Sequence, residues 1–343
     1  MGRHQQRESC VKIATYNVEW FSNLFNNDGD LIDDDSWSGR WNVTRAQQTA
    51  ALGVVFQAMD ADGVMIIEGP DSHAKRDGVG ALEVFAARFG LRARKAVIGY
   101  VNETQQEILF LYDPDVVSVR HDPRDDGAPL FDQSMLMDLD VDATPETICW
   151  SKPPLELEVT HASGTVFRLI GVHAKSKAPH GARNDAEVMQ ISIANRRKQL
   201  AQCIWLRRRV EAHLNAHEHV IVMGDFNDGP GLDEYEKLFG RSGVEIMLGE
   251  GQGEQLFDPH ARMALAQRIG AMPVTARFKV RGEGRYLSAL LDYIMVSQNV
   301  RSMGAQWTIL HPFDHVECFE NKDLCSALLT ASDHFPVVLD LAL

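Results

Sequence analysis

Short apolar runs, each closed by a polar residue or a turn, recur along the chain. Val11 to Tyr16 and Gly63 to Ile67 have strand length and are predicted core strands. The stretch between them from Thr44 to Met59 carries its apolar positions at helical spacing. Ala81 to Phe89 predicts a second helix, and Ile108 to Tyr112, Leu155 to Thr160 and Val166 to Val172 predict further strands. From Asp185 to Leu214 the residues Val188, Ile191, Ile193, Leu200, Ile204 and Leu206 recur at roughly helical spacing. They stand amid Arg196, Arg197, Lys198 and Arg207 to Arg209, which predicts a long surface helix with one buried face. Val220 to Met223, Leu290 to Val296 and Phe335 to Ala342 complete the strand set. Strands alternating with helices, without internal repeats, predict an α/β protein.

At 343 residues, 45% hydrophobic and 24% charged, the chain can bury a sizeable core, and a single domain over 11–343 behind a short tail, 1–10, is expected. No apolar run approaches the ~18 residues that span a bilayer, and the N-terminus lacks an apolar signal core. Gln6 stands where a myristoylation signal needs Ser or Thr. The expectation is a soluble, unprocessed, cytoplasmic monomer. Five scattered cysteines without Cys-x-x-Cys spacing indicate neither zinc nor a disulfide framework, and only Cys318 and Cys325 are close enough in sequence to pair locally. Asp28, Asp30, Asp33, Asp34 and Asp35 miss the calcium-loop spacing and read as a solvated acidic loop, and Gly249 to Gly253 reads as a flexible turn.

The polar groups that close the apolar runs carry the candidate chemistry. Asn17 follows the first strand and Glu68 the second, while His173 ends the Val166 run. Gly224-Asp225-Phe226-Asn227 ends another, Asp292-Tyr293 lies in a third, and Ser332-Asp333-His334 precedes the last. A Glu at a strand end near a neutral amide suits magnesium, which takes oxygen ligands and keeps several waters. Asp225 and Asn227, two residues apart, share one face if the strand stays extended there, although Asp-x-Asn-Asp-Gly-Pro also favours a turn. An imidazole that binds a proton or a phosphate needs a fixed tautomer, so Asp292 is the expected orienting partner of His334.

In this order the Asn17, Glu68, His173, GDFN, LDY and SDH elements resemble the endonuclease/exonuclease/phosphatase family, metal-dependent phosphoesterases that include DNase I-like nucleases, inositol polyphosphate phosphatases and sphingomyelinases. The resemblance extends from Asn17 to His334. It implies a four-layer αββα sandwich, two packed mixed β-sheets flanked by helices, with the site at one end of the sheets. It implies Mg²⁺, with Mn²⁺ or Ca²⁺ as substitutes, on Glu68, with Asn17 as ligand or neighbouring partner and Asp333 as a second carboxylate on the metal side. Asp225 would serve the attacking water and Asn227 the phosphate. His173 would bind a non-bridging oxygen or assist the leaving group, and His334 would be a general base or a phosphate-binding imidazolium. The sequence departs from the family in three places. Gly69-Pro70-Asp71 is an unusual sequel to Glu68. Gln106 and Glu107 stand where an acidic residue often supports the second histidine. The Arg or Tyr that many members aim at the phosphate is missing from 102–107, leaving Lys175 and Lys177 as candidates for that charge.

The expected activity is hydrolysis of a phosphodiester, nuclease-like, with DNA or RNA as substrate. A small-molecule phosphatase or phosphodiesterase acting on inositol phosphates or phospholipid head groups is the alternative, and a non-catalytic binding protein on the same fold is a third. A net charge of −14 speaks against gripping long nucleic acid through many phosphates. Lys175, Lys177, Arg196, Arg197 and Lys198 nonetheless predict a local basic rim beside the acidic site.

Overall fold

The computed structural model describes residues 10–343 except 103, 105, 139–144, 180, 230–235, 250, 252, 267–271 and 280–283. Residues 1–9 of the expected tail and parts of the 249–253 turn therefore lie outside the described residues. The strands are β1 (Cys10–Asn17), β2 (Gly63–Gly69), β3 (Lys95–Ile98), β4 (Glu107–Tyr112), β5 (Val117–His121), β6 (Ser134–Met137), β7 (Glu146–Cys149), β8 (Leu155–His161), β9 (Val166–His173), β10 (His219–Asp225), β11 (Ala276–Lys279), β12 (Tyr286–Ala289), β13 (Asp292–Val296), β14 (Gln306–Ile309) and β15 (Val337–Ala342). One large sheet runs β14-β15-β1-β2-β4-β3 and the other β13-β10-β9-β8-β5, while β6/β7 and β11/β12 form separate hairpins. Each large sheet is mixed, with a parallel pair inside it, β1/β2 in one and β9/β10 in the other.

The central strands are apolar on both faces because both faces are covered. On β1, Val11 and Ile13 point into the core between the sheets, where they meet residues such as Met65, Ile221, Ile294 and Leu339. Their alternates Ala14 and Tyr16 pack outward beneath Leu52, Phe56, Phe85 and Leu328 of the helices over that sheet. Val172 and Val222 likewise face Ala201, Trp205 and Leu206 of the long helix. The result is the four-layer sandwich that the resemblance implied. Helix Arg45–Met59 begins in a capping box formed by Thr44 and Gln47, and the long helix Asp185–Asn215 begins where Asn184 accepts from the Glu187 amide.

That long helix is not the surface helix expected. Arg196, Gln199, Gln202, Arg207 and Arg209 are buried together with Leu200, Trp205 and Leu206. The buried arginines hydrogen-bond backbone carbonyls and carboxylates: Arg209 the carbonyls of Asp126, Ala128 and Pro129 and the carboxylate of Glu156, Arg207 the carbonyls of Met247 and Glu254 and the carboxylate of Glu211. Satisfied in this way, long polar side chains can fill an interior. Cys149, Cys203, Cys318 and Cys325 are free thiols, so the local Cys318–Cys325 pairing is not made. The acidic loop is partly neutralised rather than simply solvated, since Asp34 pairs with Arg45 at 3.3 Å and Asp33 with Arg88 at 3.0 Å. Among the described residues, no helix is long and apolar enough to cross a membrane.

Candidate active site

Strand direction alone gathers the polar residues. Parallel β1 and β2 end at the same edge, as do β9 and β10, and their antiparallel neighbours β15 and β13 begin there. Asn17, Glu68, His173 and Asp225 are therefore strand-end neighbours, Asp292 opens β13 opposite Asp225, and His334 lies just ahead of β15. All the residues expected at the site except Asp292 line one cleft of about 870 Å³, and Asp292 stands behind His334.

Local backbone features aim these side chains. Glu68 occupies the left-handed region (φ 61°) at an irregularity in the β2/β4 register between Ile66 and Gly69, which turns its carboxylate out of the strand's alternation. Gly224 has φ 134°, and a Cβ there would meet the Val172 carbonyl oxygen at 2.1 Å, so β9 and β10 can close only around a glycine. Beyond Asp225 the strand does not stay extended, because Asn227 is left-handed (φ 49°). The turn folds Asn227 back so that its backbone amide donates to Asp225 Oδ1 at 2.7 Å and its Nδ2 to Asp225 Oδ2 at 3.1 Å and to the Ala174 carbonyl at 3.1 Å. Turn and site are thus the same feature. Asn17 Nδ2 reaches Asp225 Oδ2 at 3.0 Å from the other sheet, and the long helix's Gln199 holds the carbonyls of Phe226 and Asn227. Ser332 of the SDH element pins its loop, donating to the Asn17 carbonyl at 2.7 Å and accepting from the His334 amide at 3.2 Å.

His334 Nδ1 lies 2.7 Å from Asp292 Oδ2, as expected from sequence. Burial opposes charge on this imidazole, but Asp292, Asp225 and Asp333 outweigh it and hold its pKa well above the usual value, so it is an imidazolium at neutral pH. Burial holds His173 well below the usual imidazole range, aided by the charges of Lys152 and His334, so it is neutral. Asp225 is pushed up to about 7, chiefly by burial, and burial also raises Glu68.

Lys152 was not among the sequence candidates. Its Nζ lies 3.2 Å from both ring nitrogens of His173, and burial lowers its pKa while Glu68 and Asp225 favour its charge. Neither candidate for orienting His173 contacts it: Gln106 hydrogen-bonds Glu68, and buried Glu107 accepts from Asn102 Nδ2 at 2.6 Å. The carboxylates that approach its Nε2 are instead those of Glu68 at 3.7 Å and Asp225 at 3.8 Å, too long for hydrogen bonds. Lys175 lines the cleft. Lys177 lines it too, but pairs with buried Asp228 at 2.5 Å. The expected basic rim is correspondingly smaller, because Arg196 is buried 3.5 Å from the same Asp228 and Arg197 pairs with Glu146 at 3.1 Å.

A cation fits this donor set. Among the described residues, no three His, Cys, Asp or Glu side chains are placed to hold a metal. An ion that keeps most of its waters needs fewer: Glu68 supplies a carboxylate, and Asn17 Oδ1 is buried without a hydrogen-bond partner while its Nδ2 is committed to Asp225. Asp333 lines the cleft with them, 4.0 Å from Arg40, which also pairs with Glu19.

A family model described as the Endonuclease/Exonuclease/phosphatase family matches residues 14–334. Among solved structures, truncated TDP2 from Caenorhabditis elegans is similar over 97% of this chain and 98% of its own, with a TM-score of 0.52 at 11% identity. ANGEL2, a 2',3'-cyclic phosphatase solved with adenosine-2',3'-vanadate, is similar over 98% of this chain and 96% of its own, with a TM-score of 0.51 at 12% identity. At such identities the likeness is one of fold. No curated protein matches the sequence.

Proposed function

The chain belongs to the endonuclease/exonuclease/phosphatase family, and from that membership, which makes it a phosphoester hydrolase, we propose that it is a nuclease-like phosphodiesterase working by direct attack of water on phosphorus. The observation that carries this reading is the pairing, in one cleft, of a carboxylate lifted to about 7 with an imidazolium fixed by Asp292. Asp225, held at both oxygens by Asn17 and Asn227, orients the water and takes its proton, a task suited to a pKa near neutrality. His334, with Nδ1–H tied to Asp292, donates from Nε2 to a phosphoryl oxygen. Neutral His173 accepts a hydrogen bond from Lys152 and leaves that ammonium its other N–H groups for the phosphate. Both Nδ2 hydrogens of Asn227 are committed, so its contribution is to fix Asp225. Glu68, with Asn17 and Asp333 beside it, would hold a divalent cation, for which Mg²⁺ is the proposed ion. Such an ion, when bound, withdraws charge from a phosphoryl oxygen.

A substrate panel tests this reading. Mono- and bis-nitrophenyl phosphate, single- and double-stranded DNA, RNA and inositol phosphates would each be assayed with Mg²⁺, Mn²⁺, Ca²⁺ or EDTA. Diester hydrolysis is expected to exceed monoester hydrolysis and to vanish in EDTA. Efficient cleavage of inositol phosphate monoesters with every diester untouched would replace the nuclease-like reading by the phosphatase alternative.

A further inference from the structure

β13 opens at Asp292, behind His334, and closes at Val296. At that far end Phe257 pairs with Val296 in an isolated antiparallel bridge, its amide donating to the Val296 carbonyl at 2.8 Å and its carbonyl accepting from the Val296 amide at 2.9 Å. At ~3.3 Å per residue the bridge lies roughly 13 Å along the strand from Asp292, out of reach of the reacting groups. A cavity of about 600 Å³ opens there, with Gln255, Phe257, Arg262, Gln298 and Arg301 in its lining and Glu254 as its acid. Arg262 comes from helix Pro259–Leu265, and Arg301 ends helix Gln298–Arg301. The Arg301 guanidinium lies over the Phe257 ring, 3.6 Å from its centroid, and the Arg262 guanidinium lies 5.4 Å from the same centroid. Trp307 meets that ring edge-on, the centroids 5.6 Å apart. Neutral amides hold both cations. Arg262 Nη2 donates to Gln255 Oε1 at 3.2 Å and Arg301 Nη1 to Gln298 Oε1 at 3.4 Å, and Gln298 Nε2 donates in turn to the Gln255 carbonyl at 3.0 Å.

We propose that Arg262 and Arg301 form an anion site, separate from the cleft, for a small phosphate-bearing ligand: inorganic phosphate or a phosphate monoester. The site does not depend on the phosphodiesterase reading above. One stacked arginine would suffice to shield an exposed ring. A second brings a like charge to the same ring, which is unfavourable unless an anion is shared between the two. Carboxylates were plentiful, with 48 acidic against 34 basic residues in the chain, yet among the described residues neither guanidinium pairs with one. The ring and the amides instead fix two donor forks beside one cavity, and each fork keeps most of its N–H groups for a ligand. A phosphate group suits them, because its several oxygens and its charge can accept from both forks at once. The cavity's volume falls within the range of small-ligand sites. A polyanion is disfavoured, since one carboxylate stands beside the two guanidiniums in a chain of net charge −14.

The test follows the arginine Nε–H signals of the ¹⁵N-labelled protein by NMR while inorganic phosphate, glycerol 3-phosphate, acetate or chloride is added at matched ionic strength. The signals of Arg262 and Arg301, assigned through Arg262→Gln and Arg301→Gln, should shift saturably with at least one of the two phosphate ligands, and the tighter of these identifies the source. Lys152→Met, which alters the cleft, should leave that titration unchanged. Arg301→Gln should raise the Kd read at Arg262 by at least about tenfold, the loss expected for one charge-assisted hydrogen bond. Its circular dichroism and its hydrolysis of bis-nitrophenyl phosphate should match those of the parent, since Arg301 is exposed and far from the cleft. Shifts that never saturate, or that chloride reproduces, overturn the site. Acetate binding as tightly as phosphate overturns the choice of ligand. Loss of the titration in Lys152→Met, or a parallel loss of hydrolysis in Arg301→Gln, overturns its separation from the cleft.

Discussion

His334 and Asp292 act through one hydrogen bond, and that sets what their removal does. His334→Ala should lower kcat at least roughly 10²-fold and Asp292→Asn should lower it too, because each removes the oriented imidazolium. Losses that share a cause do not multiply, so a double variant whose loss equals the product of the single losses contradicts the pairing. Lys152→Met should lower kcat/KM for diesters while leaving the thermal midpoint near that of the parent. Unchanged kinetics would remove Lys152 from the phosphate site. Asn17, Glu68, Asp225 and His334 were legible in the sequence because each closes or opens an apolar run, and strand direction then brings such ends together. Lys152 was not, because it lies in coil ahead of β8, and only the approach of β9 makes it a half-buried neighbour of His173. The roles of Asn227 and Lys177 were also hidden, since a left-handed turn redirects one and a buried Asp228 claims the other.

Elements differ in how openly the sequence declares them. Central strands and the helices over them were legible from periodicity, whereas the short strands β3, β5 and β14 are only half-buried and give weak patterns. Helix Lys322–Ala331 went unread although Leu324, Ala327, Leu328 and Ala331 keep helical spacing. The long helix was legible in extent but not in burial, since its interior arginines and glutamines match no amphipathic pattern. Asp228 shows what that interior chemistry holds together: it takes Lys177, Arg196 and the Gly243 amide, joining the lysine loop, the long helix and helix Gly243–Leu248. Asp228→Ala should destabilise the fold by about 3–5 kcal/mol in chemical denaturation, as the loss of one partner from a buried ionic cluster does, and a wild-type midpoint would contradict this. Helix Pro259–Leu265 carries His260, whose pKa burial lowers from 6.5 to about 4. The unfolded chain binds the extra proton between those values. The stability this burial provides is therefore complete above pH 6.5 and is lost as pH falls through about 4. His260→Gln should flatten that part of the pH dependence of the denaturation midpoint, and an unaltered profile would show that His260 does not couple to folding.

Over the whole molecule, a charge of −14 surrounds a cleft whose lysines, apart from Lys177 on Asp228, are Lys152 and Lys175. Two phosphate contacts on a single strand correspond to a slope of about −1.4 in log K against log salt. Binding followed by fluorescence anisotropy should show so shallow a dependence, and a slope several times steeper would demand a basic surface elsewhere. The central claim is that Asp225 serves the attacking water at the edge where the two sheets end. Its most direct test is the hydrolysis rate of bis-nitrophenyl phosphate by Asp225→Asn and by the wild-type protein, both shown to be folded by circular dichroism. A fall of at least roughly 10²-fold in kcat is predicted. A folded Asp225→Asn variant that turns over at the wild-type rate would contradict it.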